Sequence, residues 1–141
     1  MVTRMGAQLA RTAIDLGIVI RDSERSLGFY RDLLGLVHEG DMPMPGLGGG
    51  GTMHRLRCGE SLVKLVKFDA VPEESAPRGG IDAATGYRYA TLHVSNLDDV
   101  VAACKAAKVK VAVPVTEIRS GVRIAIVLDP DGNLVEFVQT D

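Results

Sequence analysis

The strongest constraint on the fold is an internal repeat in the order of the predicted strands and helices. Both halves of the chain predict strand, helix, strand, strand, strand, and matching points lie about 70 residues apart. A single unit of this kind leaves one face of an open sheet uncovered, so two units are needed to enclose a cavity. The sequence therefore predicts one α+β domain, in which two βαβββ modules form a curved, cup-like mixed sheet with the helices outside.

The predicted single domain divides into module one at about 13–68, a linker at 69–86 and module two at 87–140. The first strand is the apolar, β-branched run at 13–20, and a helix with apolar residues at spacings of three and four follows Asp22 and Ser23. Either of these two side chains can cap that helix. The linker is rich in Pro, Gly, Ala and acidic residues, as is typical of a connection.

Two segments predict turns or loops. The run at 43–52 contains two prolines and five glycines, and its glycines at 48–51 are either a flap over a pocket mouth or a simple connection. The pentapeptide Asp-Pro-Asp-Gly-Asn at 129–133 predicts a hairpin turn. A calcium loop is disfavoured there because the EF-hand spacing is absent.

Composition excludes several partners. Lys+Arg 16 against Asp+Glu 18 gives a net charge of -2 without a basic patch, which argues against nucleic acid. No apolar run approaches the ~20 residues of a membrane-spanning helix, so no membrane partner is expected. Cys58 and Cys104 have no CxxC spacing, and the amino-terminal segment lacks the apolar core of a signal peptide. We therefore expect a cytoplasmic protein with reduced thiols.

Two segments carry a family resemblance: RDSERSLGFYRDLLGL at 21–36 and DPDGNLVEFVQ at 129–139. They resemble signature segments of the vicinal oxygen chelate superfamily, which includes glyoxalase I, bleomycin-resistance proteins, methylmalonyl-CoA epimerase and extradiol dioxygenases. The likeness spans about residues 14–140. It implies the same paired modules, a small-molecule ligand and, for a chain of this length, a homodimer with sites at the subunit interface.

The resemblance also implies where a metal would be held. Enzymes of that family bind a divalent ion with four side chains from the first and last strands of the two modules. Those positions are occupied here by Asp15, Lys64, Tyr89 and Glu136, of which only Glu136 matches the family pattern. A lysine ammonium has no lone pair to donate. No cofactor is therefore predicted, and a divalent metal, if bound, would be held by Asp15 and Glu136.

Strand alternation places these side chains on the predicted inner face of the cup. We interpret Lys64 and Glu136 as a proton-transfer pair, Tyr89 as a hydrogen-bond donor to a developing enolate, and Asp15 as an orienting carboxylate or second base. The alternative for Lys64 and Glu136 is an ion pair without a catalytic role.

Three further residues are candidate ligand contacts, with packing as the alternative for each histidine. Thr91 and His93 share the predicted inner face with Tyr89, and His54 follows the glycine run closely enough to reach the cavity. The third histidine, His38, is expected at the surface.

The leading functional hypothesis is an enzyme of the vicinal oxygen chelate type that performs acid/base lyase or isomerase chemistry on an oxygenated substrate without the usual metal tetrad. The first alternative is a non-catalytic, drug-sequestering binding protein. The second is a metal-dependent glyoxalase or dioxygenase with His54 or His93 as a ligand. Only 4% of residues are aromatic, which favours an aliphatic or polyoxygenated ligand.

Overall fold

A computed structural model describes residues 6–44, 46 and 49–141. Both halves follow the predicted order. Module one comprises β1 (Asp15–Val19), α1 (Ser23–Leu27), a π-helical segment (Gly28–Leu33), β2 (Val37–Pro43), β3 (Gly51–Cys58) and β4 (Ser61–Phe68). A short 3-10 turn (Ile81–Ala83) precedes module two, which comprises β5 (Tyr89–His93), α2 (Leu97–Ala106), β6 (Val111–Arg119), β7 (Val122–Leu128) and β8 (Leu134–Thr140).

The strands form two four-stranded mixed sheets, in the orders β1-β4-β3-β2 and β5-β8-β7-β6. In each sheet the first pair is parallel and the other pairs are antiparallel. The predicted α+β fold of two βαβββ modules is confirmed. The wall of the cup consists of two sheets, since no strand pairing between the modules is present in the part of the chain that the structure describes.

Each sheet has a covered face and an open face. Leu65 on β4 and Leu56 on β3 belong to the buried core on the helix side, and Val127 and Phe137 do the same in module two. Alternation sends their neighbours to the opposite face. We call the helix-covered side the outer face and the opposite side the inner face, which carries the half-exposed residues Asp15, Gly17, Val19, Lys64, Tyr89, Thr91, His93 and Glu136.

The first helix begins as predicted but changes its pitch. The Asp22 carboxylate accepts a hydrogen bond from the Arg25 N–H at 3.1 Å and caps α1. The spacing of apolar residues predicts a continuous α-helix, whereas the chain widens into the π-helical segment, in which the Leu34 N–H donates to the Phe29 carbonyl. The wider turn buries two adjacent side chains, Phe29 and Tyr30, whose rings pack edge to face at 4.7 Å.

The second helix is capped from a distance. Asn96 occupies the position before α2, but its side chain makes no capping hydrogen bond. The Leu97 N–H donates instead to Gln139 Oε1 at 2.8 Å. A residue on β8 therefore satisfies this helix end. No helix in the described ranges combines the length and apolarity that crossing a membrane would require.

Polar contacts at one hairpin join the two modules. The predicted turn at 129–133 forms, with Asp129 Oδ1 accepting from the backbone N–H groups of Asp131 and Asn133 at 2.9 and 2.8 Å. The Tyr30 hydroxyl donates to Asp129 Oδ2 at 2.6 Å, and the Arg21 N–H donates to Asp131 at 3.2 Å. Burial, followed by the Asp129 charge, raises the pKa of Tyr30 well above its ordinary value.

The glycine-rich run connects β2 to β3. Residues 45, 47 and 48 lie outside the described residues, and with them part of the predicted flap at 48–51. β3 begins at Gly51, where a Cβ atom would lie 2.6 Å from the Lys67 carbonyl oxygen. Only glycine fits this close approach of two strands.

Candidate functional site

The inner face of module one carries an ion pair. The ammonium of Lys64 lies 3.4 Å from Asp15 Oδ2, and the guanidinium of Arg11 lies 3.5 Å from Asp15 Oδ1. The Lys64 and Asp15 side chains are 34% and 36% exposed. The Asp15 carboxylate orients the Lys64 ammonium, which presents hydrogen-bond donors at the open face.

A second cation lies beside Lys64. Arg55 on β3 is directly opposite Lys64 in the β3–β4 register, so both belong to the inner face. Within the described ranges Arg55 has no carboxylate within ion-pairing distance. Sequence reasoning missed Arg55, although the short hairpin between β3 and β4 fixes its register. Together the two cations favour an anionic group on a ligand.

The inner face of module two carries a carboxylate with a hydroxyl partner. The Thr91 hydroxyl donates to Glu136 Oε1 at 2.7 Å, and the two residues are paired in the β5–β8 register. Tyr89 lies one alternation earlier on the same strand and is 51% exposed, and His93 lies one alternation later and is exposed. Glu136 is therefore held in place by Thr91, with two further polar rings on the same face.

The structure brings the predicted site residues together in two pairs, one in each module. Lys64 contacts Asp15, and Glu136 contacts Thr91. Lys64 has Asp15 as its carboxylate partner, and no ion pair links it to Glu136 among the residues described.

The four positions that the family resemblance assigns to metal ligands do not fit a divalent ion. One of them holds the Lys64 ammonium, which has no lone pair and lies against Asp15. Asp15 is already shared between two cationic side chains, and Glu136 accepts a hydrogen bond from the Thr91 hydroxyl. A donor set of this chemistry repels a further cation at Asp15.

His54 lies on the outer face, away from Lys64. It is 7% exposed and pairs in register with the core residue Leu65. One ring nitrogen contacts the Ser23 hydroxyl at 2.8 Å, and the other contacts the Asp41 carboxylate at 2.8 Å. Asp41 also contacts His38, which is part-buried. Burial raises the pKa of Asp41, but hydrogen bonds from His54 and His38 outweigh it, so this pKa lies below its ordinary value.

A cleft of about 400 Å³ runs between β1 and β5. Four of the six aromatic residues line it: Tyr30, Phe68, Tyr87 and Tyr89. Gly17 and Val19 also line it, which makes the cleft continuous with the inner face. Aromatic residues are few in this chain but concentrated here, and this weakens the sequence-based preference for an aliphatic ligand.

One arginine holds the linker over this cleft. The guanidinium of Arg21 donates to the carbonyl oxygens of Pro72 and Glu74 at 3.0 and 3.2 Å and to the Ser75 hydroxyl at 2.9 Å. Arg21, Pro72, Glu74 and Ser75 all line the cleft. The linker is thereby fixed as one wall of the cleft.

Comparisons with known proteins agree with this architecture. The family model described as glyoxalase/bleomycin resistance protein/dioxygenase superfamily matches residues 8–137. The comparison with curated proteins finds no significant match. Among solved structures, a glyoxalase family protein from Bacillus cereus is similar with a TM-score of 0.82 and 17% identity, covering 98% of this chain and 99% of that chain.

Two other solved structures are similar at lower scores. The trypanothione-dependent glyoxalase I of Leishmania major has a TM-score of 0.68 and 22% identity over 89% of this chain and 84% of that one. TioX from Micromonospora sp. ML1 has a TM-score of 0.65 and 19% identity over 92% and 99%. At these identities the likeness concerns the fold.

Proposed function

The chain belongs to the glyoxalase/bleomycin resistance protein/dioxygenase superfamily, and from that premise we propose that it is an acid/base enzyme of lyase or isomerase type. Its substrate is a small oxygenated molecule with an anionic group. The observation that carries this proposal is the contact between Lys64 and Asp15 at 3.4 Å on the inner face. It places a fixed positive charge at a position where metal-dependent members have a ligand.

Each inner-face residue has one role in the proposed reaction. The Lys64 ammonium donates to a carbonyl oxygen of the substrate and stabilises the negative charge that develops there. The Glu136 carboxylate, held by Thr91, removes a proton from the neighbouring carbon, and Tyr89 donates a second hydrogen bond to the same oxygen. Asp15 orients Lys64, while Arg55 binds the anionic group of the substrate. His93 contacts the far end of the ligand.

Solvent-deuterium exchange tests this assignment. Small 2-hydroxy ketones and 2-oxo acids are incubated with the protein in deuterated water, and loss of the carbon-bound proton is followed by NMR. Glu136→Gln and Lys64→Met are each expected to slow exchange by about 10²-fold or more. The exposed residues Glu60 and Lys105 provide matched controls, as Glu60→Gln and Lys105→Met. Unchanged exchange in both inner-face variants would remove these residues from catalysis.

The second candidate function is non-catalytic binding of a flat organic molecule. It is favoured by the cleft of about 400 Å³ with its four aromatic side chains. A cavity of this size and lining is typical of small-molecule sites. Under this proposal Tyr89 stacks on the ligand, and Lys64 and Arg55 attract its anionic group from the adjoining inner face.

Tyrosine fluorescence tests the binding function, because the protein contains no tryptophan. A panel of aromatic and aliphatic carboxylates is titrated, and we expect the aromatic compounds to quench the emission at lower concentration. Tyr89→Ala should weaken binding by about two- to tenfold, whereas Tyr89→Phe should retain it. Equal affinity for both compound classes, together with full binding by Tyr89→Ala, would contradict stacking in the cleft.

A further inference from the structure

We propose that His38, Asp41 and His54 form a binding site for a transition-metal ion of the zinc class on the outer face of module one. In the ranges 6–44, 46 and 49–141 this is the only group of three or more His, Cys, Asp or Glu residues whose ligand atoms lie within 4.8 Å of one another. It lies on the sheet face opposite Lys64 and is separate from the inner-face chemistry. We call these three residues the histidine cluster.

A β-bulge assembles the histidine cluster. His38 pairs with Leu56 and Asp41 pairs with His54. Two residues of β2 lie between His38 and Asp41, but only one of them, Gly40, has a partner on β3, so β2 contains one extra residue here. Residues three apart on a regular strand point to opposite faces, so the extra residue is what brings His38 and Asp41 to the same side. Gly40 has a φ of 151°, a conformation that favours glycine, and this allows the bulge.

The donor atoms already converge. Asp41 Oδ1 lies 2.6 Å from His38 Nε2 and 2.8 Å from His54 Nδ1. Two imidazoles and one carboxylate are ligands that zinc prefers, and its bonds of about 2.0–2.2 Å need donor separations of about 3.4 Å in a tetrahedral site. Each separation must therefore widen by less than about 1 Å. The Asp41 side chain is 47% exposed, which leaves an entry path and a fourth position for water.

The surroundings of His54 suit a metal ligand. Its Nε2 lies 2.8 Å from the Ser23 hydroxyl. When Nδ1 donates its lone pair to the ion, the ring proton resides on Nε2 and is donated to Ser23 Oγ, which fixes the orientation of the ring. Ser23 begins α1, His38 and Asp41 lie on β2, and His54 lies on β3. A bound ion would thus tie three elements of module one together.

The Arg31 side chain, in its present position, disfavours metal binding at His38. Its guanidinium lies 3.3 Å from His38 Nδ1, and because a guanidinium only donates, this nitrogen accepts and Nε2 carries the proton toward Asp41. If His38 Nε2 binds the ion, the neutral ring carries its proton on Nδ1 instead. Nδ1 can then no longer accept a hydrogen bond from Arg31, so the Arg31 side chain must turn away. The Arg31 side chain is 40% exposed and already contacts Asp32 at 2.8 Å, which provides an alternative position.

The test uses the full-length chain stripped with a chelator. It is titrated with Zn²⁺ by calorimetry and with Co²⁺ by visible absorption, with Mg²⁺ as the hard-cation control. We expect one Zn²⁺ per chain, Co²⁺ bands of a four-coordinate site, and no Mg²⁺ binding. His38→Gln and Asp41→Asn should each weaken Zn²⁺ binding by at least about tenfold. Arg31→Gln should strengthen it by about two- to fivefold, because a nearby positive charge is lost.

Two matched variants test whether Zn²⁺ binds outside the histidine cluster. His93→Gln removes the only histidine outside the cluster, and Cys58→Ser removes the less buried thiol. Both should bind Zn²⁺ as the parent chain does. The His38 and His54 ring-proton NMR signals should shift on Zn²⁺ addition while those of His93 stay in place, a readout that needs no variant to fold. Absence of stoichiometric binding, or unmoved His38 and His54 signals, would overturn the proposal.

Discussion

At the scale of single residues, Asp129 is a buried carboxylate at the junction between the modules. It is 5% exposed and accepts from two backbone N–H groups, the Asn133 amide and the Tyr30 hydroxyl. A buried carboxylate is tolerated only when its oxygens are satisfied in this way. Tyr30, which the sequence places in the amphipathic helix, therefore has a polar role as well as an apolar one.

Replacing Tyr30 by Phe should lower the free energy of unfolding by about 1–3 kcal/mol, since Asp129 then loses a buried donor. Urea denaturation followed by circular dichroism measures the change. Tyr87→Phe is the matched control, because Tyr87 is fully exposed and its hydroxyl is solvated. An equal effect of the two substitutions would show that the Tyr30 hydroxyl does not contribute at the junction.

The same pair of variants gives a pH dependence. The pKa of Tyr30 is raised in the folded state, first by burial and then by Asp129, so the folded chain holds its phenolic proton where the unfolded chain releases it. The contribution of Tyr30 to the free energy of unfolding is therefore fully present below the ordinary tyrosine pKa of about 10, and it declines as the pH rises above that value. We expect Tyr30→Phe to have a smaller loss of stability above that pH than Tyr87→Phe. Matching alkaline profiles would contradict this.

At the scale of elements, glycines in two kinds of position should respond oppositely to alanine. Gly28 has helical dihedral angles and open space around a built Cβ, so Gly28→Ala should raise the free energy of unfolding by about 0.4–1 kcal/mol. Gly51→Ala should lower it by about 1–3 kcal/mol, because the new Cβ would meet the Lys67 carbonyl. Urea midpoints of both variants measure this, and destabilisation by both would indicate that the π-helical segment cannot accept a side chain at Gly28.

Local patterns predicted the elements well, and contacts distant in sequence account for what they missed. β4 ends at Phe68, which is the predicted end of module one, and the apolar run that forms this strand is a local signal. The cap of α2 comes from Gln139, which lies 42 residues away, and no local rule identifies it. The bulge at Gly40 likewise depends on pairing with β3 and was not predicted.

Local patterns also predicted the faces on which some of the site residues lie. The alternation of single strands put Lys64 and Asp15 on one face, and their contact agrees with that inference. The sequence predicts His54 near the cavity because this residue follows the glycine run. The alternation of side chains along the strand is the better guide to which face His54 occupies. A two-residue hairpin pairs residue 58 with 61 and hence His54 with Leu65, on the side away from Lys64. The signal for His54 was present in the sequence.

At the scale of the whole molecule, the inner faces carry large apolar side chains that are half-exposed beside the charged residues. Val19, Val37, Met42 and Tyr89 are 48%, 49%, 44% and 51% exposed on this side. Exposed apolar surface of this kind marks an interaction site. We propose that a second copy of the chain covers it and completes two equivalent ligand cavities.

Light scattering after size-exclusion chromatography tests this arrangement. The 15.0 kDa chain should elute with twice its own mass. Val19→Asp should shift the equilibrium to the monomer, because it buries a carboxylate in an apolar contact. Ala103→Asp, on the exposed side of α2, should leave the mass unchanged. A monomer at all concentrations would contradict the homodimer.

The hydrogen bond between Tyr30 and Asp129 also has a consequence for the order of events in folding. It joins residues 99 positions apart in sequence. During synthesis, therefore, the Tyr30 phenol lacks its Asp129 partner until most of module two has been made. Spectroscopy of this tyrosine would then report the moment at which the hairpin of module two docks against module one.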